Sequence, residues 1–264
     1  MKRSLGFTLL EMVISIILLA VVGLSLGAII QHSMYLYADT TTREELLLQG
    51  RFVTERMHKE IRDAVPNSVE VNQTTQCIEW LPITNTAVYE TLPLSPAKST
   101  EIRVLPEHGF SVGDRIVVMP VNAQNLRSTL PTNGISRMAE VKRDIDFQPS
   151  ENAQMIDVTL TRSTSFSANS PAHRLYAYKT PIAYCLEGSR LYRYADYPLS
   201  RAELSPHELS VGTRQLMAEK IKLATFNVEQ ASLVRNGLVK MQFVFTDNNE
   251  EVQLDHDVLI ANTP

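Results

Sequence analysis

A long uncharged stretch near the N-terminus constrains this chain more than any other feature. From Phe7 to Ile30 every residue is apolar, small or hydroxyl-bearing, with the single exception of Glu11. As an α-helix this stretch would extend roughly 36 Å, which exceeds the ~30 Å hydrocarbon core of a bilayer. The sequence therefore predicts a membrane-spanning helix over residues 7–30.

The charges around this stretch predict its orientation. Lys2 and Arg3 precede it, and no basic residue follows until Arg43. Because basic residues favour the cytoplasmic side, we expect a cytoplasmic N-terminus and an exported remainder. The apolar stretch is too long for an ordinary secretory signal, and no small-residue cleavage site follows it. A carboxylate inside such a helix is costly, so Glu11 is expected to have a function and a partner.

The first residues resemble the class III signal of type IV pilins and type II secretion pseudopilins. A short basic leader ends in Gly6, and the apolar stretch then begins with the letters FTLLE, residues 7–11. The resemblance implies that the prepilin peptidase cuts between Gly6 and Phe7 on the cytoplasmic side and then methylates the new amino terminus of Phe7. Residues 1–6 would be the leader peptide.

The same resemblance gives the carboxylate a role in assembly. Cleavage creates an amine at Phe7, and Glu11 of one subunit would face the amine of a neighbour in a helical stack. Pairing would offset the desolvation of both charges. The implied partners are other major and minor pilins, contacted through N-terminal helices and heads, together with the prepilin peptidase, the inner-membrane assembly platform and the membrane itself.

The helix is expected to continue beyond the membrane as an amphipathic segment over residues 31–65. Apolar residues recur at helical spacing between Leu46 and Ile61, and Pro66 ends the pattern. A run of three threonines and Gly50 are weak helix formers. They predict a kink or break within residues 38–50.

From Ser68 onward the pattern changes to short β-rich segments separated by turn residues. Because no long helical stretches lie between them, an antiparallel arrangement is favoured over βαβ units. We therefore predict an α+β fold, in which a long N-terminal α-helix packs on a largely antiparallel β-sheet head formed by residues 66–264. The predicted strands cover Ser68–Val71, Gln76–Leu81, Glu101–Leu105, Arg115–Pro120, Ile156–Arg162, Ala177–Leu186, Arg190–Tyr194, Leu223–Gln230, Leu238–Thr246 and Glu251–Leu254.

Two segments of the head carry more detailed predictions. A short helix is expected around Gln215–Lys220. The strand Leu238–Thr246 alternates, and one of its faces is wholly apolar. We predict that this face is buried: Val239, Met241, Phe243 and Phe245.

Three head segments resemble the large minor pilins of the group that includes PilW and pseudopilin J. These segments are Phe110–Val118, Ile182–Arg193 and Val258–Asn262. Within that group, the chain most resembles the minor pilins of MSHA-type pilus biogenesis. The resemblance implies a minor pilin rather than a major one, and major pilins are usually shorter.

The chain has two cysteines, Cys77 and Cys185, and both lie in strand-like runs on the predicted exported side. An oxidising compartment would allow a single disulfide between them. The alternative is a pair of buried free thiols.

Other chemistry finds little support in the sequence. No basic stripe accompanies the net charge of −4, which argues against nucleic-acid binding. The six histidines form no metal-ligand spacing, and no nucleophile, phosphate-binding or dinucleotide motif is present. The acidic segment 247–251 lacks the spacing of a calcium loop and fits a hairpin turn. Asp255-His256-Asp257 fits a surface strand. We expect no enzyme activity, no catalytic residue, no cofactor and no metal.

The resemblance implies that the chain is a minor pilin of a type IV, MSHA-like pilus. It would start as a single-pass inner-membrane protein with a periplasmic head and end in the pilus, at the tip or in the initiation complex. A J-class pseudopilin of type II secretion is the main alternative. A tip adhesin and a membrane-anchored periplasmic enzyme are weaker ones.

Overall fold

A computed structural model of the chain describes residues 8–74, 76–131, 134–148, 154–231, 235–248 and 250–260. It contains one long helix followed by a head that consists mostly of antiparallel strands, which confirms the predicted α+β fold. The helices are α1 (Leu9–Arg62), α2 (Ala123–Arg127) and α3 (Pro206–Leu209). The strands are β1 (Glu70–Val71), β2 (Cys77–Trp80), β3 (Asn85–Tyr89), β4 (Ser99–Pro106), β5 (Arg115–Val117), β6 (Ile135–Ser136), β7 (Met138–Glu140), β8 (Ile156–Phe166), β9 (Arg174–Tyr178), β10 (Ile182–Glu187), β11 (Arg190–Ala195), β12 (Thr213–Ala218), β13 (Ile221–Glu229), β14 (Gly237–Asp247) and β15 (Glu250–Ile260).

The helix α1 packs on the head only through its C-terminal part. Residues 8–41 are exposed, and Leu46 is the first buried position. From there, the residues facing the head recur at helical spacing, as the apolar pattern predicted. The buried positions are Leu46, Gly50, Val53, Thr54, Met57 and Ile61.

The break predicted within residues 38–50 is wrong, because α1 is continuous from Leu9 to Arg62. The hydroxyl groups of Thr40 and Thr41 donate to the carbonyl oxygens one turn earlier, at 2.8 and 2.9 Å, so these residues stay within the helix. Gly50 is buried against β15. Its lack of a side chain serves close packing rather than a hinge.

A three-stranded antiparallel sheet, β13–β14–β15, provides the surface on which α1 rests. The apolar face predicted for β14 is confirmed, since Val239, Met241, Phe243 and Phe245 are at most 2% exposed. Phe226 of β13 packs edge-on against Phe243, with ring centroids 5.7 Å apart. These side chains and the buried face of α1 form one continuous core.

A second antiparallel sheet has the strand order β1–β2–β10–β11–β12. The predicted helix around Gln215–Lys220 is wrong, because most of this segment belongs to β12, which pairs with β11. Its residues are good helix formers, but pairing with a neighbouring strand outweighs that preference. The single strand predicted over Ala177–Leu186 is two strands, β9 and β10. They are separated at Pro181, which has no amide hydrogen to donate to a ladder.

The residues between β2 and β10 form a third sheet, which the sequence patterns did not separate from the rest of the head. Its order is β6–β8–β4–β3–β9–β5–β7. Beyond the end of β7, Val141 bridges Leu160 of β8, and the Lys142 amide donates to the Thr159 carbonyl at 2.9 Å. The sheet therefore curls back on itself around a core of its own. We call residues 83–181 the inserted barrel.

Candidate functional site

The N-terminal part of α1 exposes an apolar surface for which the described part of the chain offers no cover. Leu9 is 83% exposed and Leu24 is 77% exposed. The helix is long and apolar enough to cross a membrane, and none of its most apolar window is buried. Such a surface is stable in water only when lipid or other protein covers it.

Glu11 lies in the first turn of this helix. Thr8 precedes the helix as its N-cap, and the Thr8 hydroxyl accepts a hydrogen bond of 3.3 Å from the Glu11 amide. The carboxylate has no hydrogen-bond or ion-pair partner among the residues that the structure describes. The helix dipole favours an acidic side chain at this end. Gly6 and Phe7, the predicted cleavage and methylation positions, lie outside the described residues.

The hydroxyl groups within the apolar part of α1 are satisfied inside the helix. Ser15 donates to the Glu11 carbonyl at 2.7 Å, and Ser25 donates to the Val21 carbonyl at 2.8 Å. Backbone acceptors therefore remove the cost of placing these hydroxyls in an apolar medium. Glu11 is the ionisable residue left without such an internal partner in this stretch.

Cys77 and Cys185 are joined by a disulfide bond in the structure. They are register partners on β2 and β10, with Cα atoms 4.1 Å apart, and both are buried. Aromatic and aliphatic side chains surround the bond, including Tyr194, Tyr197 and Leu209. Because the inserted barrel lies between β2 and β10 in the sequence, the bond links the two strands that lead into and out of it.

A buried ion cluster lies next to this bond, and the sequence interpretation missed it. Glu79 of β2 is completely buried and accepts from the Nε atoms of Arg127 and Arg201, the latter at 2.7 Å. Glu70 pairs with the same two arginines at 3.2 and 3.1 Å. A signal was present, since Glu79 interrupts the otherwise apolar letters CIEW of a predicted strand.

The cluster connects the inserted barrel to the rest of the head, because Arg127 belongs to α2 and Glu79 and Glu70 belong to β2 and β1.

The cluster also changes the pKa values of its neighbours. Burial by itself would lower the pKa of Arg201, but the hydrogen bond and the charge attraction to Glu79 outweigh burial. The net effect is a raised pKa for Arg201. Burial, followed by the nearby Glu79 charge, raises the pKa of the Tyr197 phenol. Both groups therefore hold their protons over the physiological range.

Polar contacts of Glu60 and His58 help to hold the C-terminal half of α1 on the head, beside those of Glu45 and Gln49. Glu60 accepts from Arg193 of β11 at 3.1 Å and from Arg56, one turn earlier, at 2.6 Å. His58 Nδ1 lies 2.9 Å from His256 Nε2 of β15. Burial, followed by the Glu60 charge, raises the pKa of Tyr184, whose hydroxyl contacts Glu60 at 3.4 Å.

The acidic residues near the C-terminus belong to the hairpin formed by β14 and β15. Asp247 and Glu250 are the closing pair of the β14–β15 hairpin. Asp255 and Asp257 are exposed on β15, on the face opposite half-buried His256. Within the described ranges, no group of three or more histidine, cysteine or acidic side chains is arranged to hold a metal ion.

Comparison with known proteins gives one match. Residues 1–27 match the family described as the prokaryotic N-terminal methylation motif. No curated protein and no solved structure matches the chain. The motif and the apolar N-terminal helix support a pilin or pseudopilin. The motif suggests a structural protein, and the helix fits an inner-membrane anchor that carries a soluble head. The motif also implies interaction with other pilins and with the prepilin peptidase.

Proposed function

We propose that this protein is a non-enzymatic minor pilin of a type IV, MSHA-like pilus. It assembles with other pilins in the complex that initiates the pilus and remains at its tip. The observation that carries the proposal is the exposed apolar half of α1, which begins with a methylation motif and contains one carboxylate without an internal partner. Such a helix is suited to move from a membrane into the core of a filament.

The proposed processing creates the missing partner for that carboxylate. Cleavage between Gly6 and Phe7 leaves a methylated amine at Phe7. Glu11 lies four residues further along the chain. The amine of a neighbouring subunit, displaced along the filament axis, meets Glu11 and neutralises it. Lys2 and Arg3 are removed with the leader, which takes away the basic anchor on the cytoplasmic side.

The size of the head supports a place at the tip. The inserted barrel adds a second core to a head that already has one beside α1. Heads of this size would crowd each other in a uniform helical filament. At a tip, where few copies occur, the inserted barrel has free space around it.

Deletion of the gene in its natural host tests the function, with surface pili imaged by electron microscopy and secreted proteins measured in the medium. We expect loss of pili with normal secretion, restored by the wild-type gene. Loss of secretion with normal pili would instead identify a J-class pseudopilin, which the methylation motif supports equally. Normal pili and normal secretion would contradict both assignments.

A further inference from the structure

The last strand of the head has a free edge. β15 pairs with β14 along its whole length, from Glu250 opposite Asp247 to Ile260 opposite Gly237, without a register shift. It is the outer strand of its sheet, and in the described part of the chain its backbone hydrogen bonds go to β14 alone. Natural proteins protect such an edge with a bulge, a proline or charged side chains, because it can pair with another chain. β15 has neither a bulge nor a proline, so the protection of β15 is by charge alone.

One hydrogen bond establishes which backbone groups point outward. The Thr246 amide of β14 donates to the Lys220 carbonyl at 2.8 Å, on the side away from β15. Thr246 and its register partner Glu251 are therefore a pair that does not exchange backbone hydrogen bonds. Because the two kinds of pair alternate in an antiparallel ladder, every second residue of β15 directs its amide and carbonyl to the free edge. These residues are Glu251, Gln253, Asp255, Asp257 and Leu259.

The same residues expose their side chains, and most of them are acidic. Glu251 is already paired with Lys222 at 2.6 Å. Asp255 accepts only from two neutral amides, those of Gln242 and Gln253. No basic side chain of the described residues forms an ion pair with Asp255 or Asp257. Lys240 of β14 is the register partner of Asp257, but its ammonium group pairs with Glu229 at 3.0 Å. Both aspartates can therefore take a cationic partner.

The charges disfavour a second copy of this strand as the occupant. Antiparallel pairing centred on Asp255 would place Asp255 opposite its own copy, and centring on His256 would place Asp255 opposite Asp257. Parallel pairing in register would place each aspartate beside itself. Like charges directly opposite each other destabilise a sheet. The edge therefore selects a different sequence with the opposite charge.

We propose that the free edge of β15 accepts an extended segment of another protein as an added strand. Lysine or arginine residues at every second position of that segment face Asp255 and Asp257. Main-chain hydrogen bonds to the outward amides and carbonyls supply affinity, and the two aspartates supply selectivity. The proposal goes beyond the proposed assembly function, because the added strand contacts neither Glu11 nor the apolar half of α1.

The test uses the detergent-solubilised full chain and a fluorescent peptide as long as β15 in which lysine alternates with valine. A matched peptide carries glutamate in place of lysine. We expect the lysine peptide to bind with an affinity that falls as salt rises, and the glutamate peptide to bind at least about tenfold more weakly. Equal binding of the two peptides would overturn the charge selectivity.

A proline substitution separates strand addition from attraction to a charged surface. Gln253→Pro removes one outward amide without removing a bond to β14, whereas Gln253→Ala keeps that amide. Both variants lose the Gln253 side chain, so they are a matched pair. We expect the proline variant to bind the lysine peptide roughly fivefold more weakly than the alanine variant, as expected for one lost hydrogen bond. Equal affinities would overturn the proposal.

Hydrogen–deuterium exchange of the wild-type chain supplies a readout that needs no variant. Saturating lysine peptide should slow amide exchange over residues 250–260 and leave exchange over the inserted barrel unchanged. Binding without this protection would show that the peptide sits elsewhere and would overturn the proposal even if Gln253→Pro failed to fold. Asp255→Asn combined with Asp257→Asn should weaken binding and reduce its dependence on salt.

Discussion

Gly50 of α1 packs directly against Leu254 of β15. A Cβ atom on Gly50 would overlap Leu254 Cδ1 and would lie 3.1 Å from Phe245 Cε2. The absence of a side chain at this one position lets the helix approach the sheet, and the approach buries the stripe that begins at Leu46.

The first prediction uses this contact. Gly50→Ala should gain less stability than the ~1 kcal/mol expected from helix propensity, because the new Cβ atom must displace Leu254 Cδ1 and the resulting overpacking costs stability. When Leu254 is also changed to alanine, the strain disappears, and the same substitution should stabilise the protein. Urea unfolding of the four proteins in this double-mutant cycle measures the effect. An equal Gly50→Ala effect in both backgrounds would contradict the close contact.

The second prediction concerns Glu11. Glu11→Gln should leave peptidase processing intact but reduce incorporation into pili, because the Phe7 amine of the neighbour loses its partner. Stranding one charge of a buried pair costs about 3–5 kcal/mol. The mass of the mature N-terminus measures processing, and sheared pili measure incorporation. Glu11→Asp, which keeps the charge on a shorter side chain, serves as the control. Wild-type incorporation of the glutamine variant would refute the assembly role.

The third prediction concerns the cystine. Replacing both Cys77 and Cys185 with serine should lower the free energy of unfolding by about 2–5 kcal/mol, because the unfolded chain gains freedom across a long loop. Guanidinium unfolding of the wild-type and double-serine proteins measures the difference. Since the chain has only these two cysteines, mass spectrometry after alkylation without reductant gives an independent check. Alkylation of both thiols in the native protein would contradict the bond.

The fourth prediction concerns the buried ion cluster. Glu79→Gln should destabilise the protein by at most the ~3–5 kcal/mol of a broken buried ion pair, because Arg127 and Arg201 then share a single carboxylate, that of Glu70. Glu70→Gln is the matched control, since Glu70 pairs with the same two arginines but has a 40% exposed side chain. For that variant we expect a loss of only about 0–1 kcal/mol. Urea unfolding measures both, and similar losses would show that burial does not govern this cluster.

The sequence predicted the features that depend on neighbouring residues. The helical spacing from Leu46 to Ile61 identified the face of α1 that meets the head. The alternation in Leu238–Thr246 identified the buried face of β14. Both patterns follow from the local geometry of a single element, so no knowledge of distant partners was needed.

The features that the sequence did not predict depend on contacts between distant residues. Nothing local indicates that β12 pairs with β11, so the helix preference of Gln215–Lys220 was misleading. The role of Gly50 depends on Leu254, which follows it by about two hundred residues. The inserted barrel went unrecognised because its strands look like those of the surrounding head. Only the pairing of β2 with β10 reveals that the residues between them leave the sheet and return.

That pairing determines how the head would carry a mechanical load. A force applied to the inserted barrel reaches the rest of the head through β2 and β10, whose last register pair on the barrel side is Trp80 and Ile182. Three register pairs lie between this end and Cys77–Cys185, and the covalent bond there keeps the two strands together even if those pairs open. The inserted barrel can therefore unfold under tension while β2 and β10 stay joined in the second sheet, so the disulfide acts as a mechanical stop.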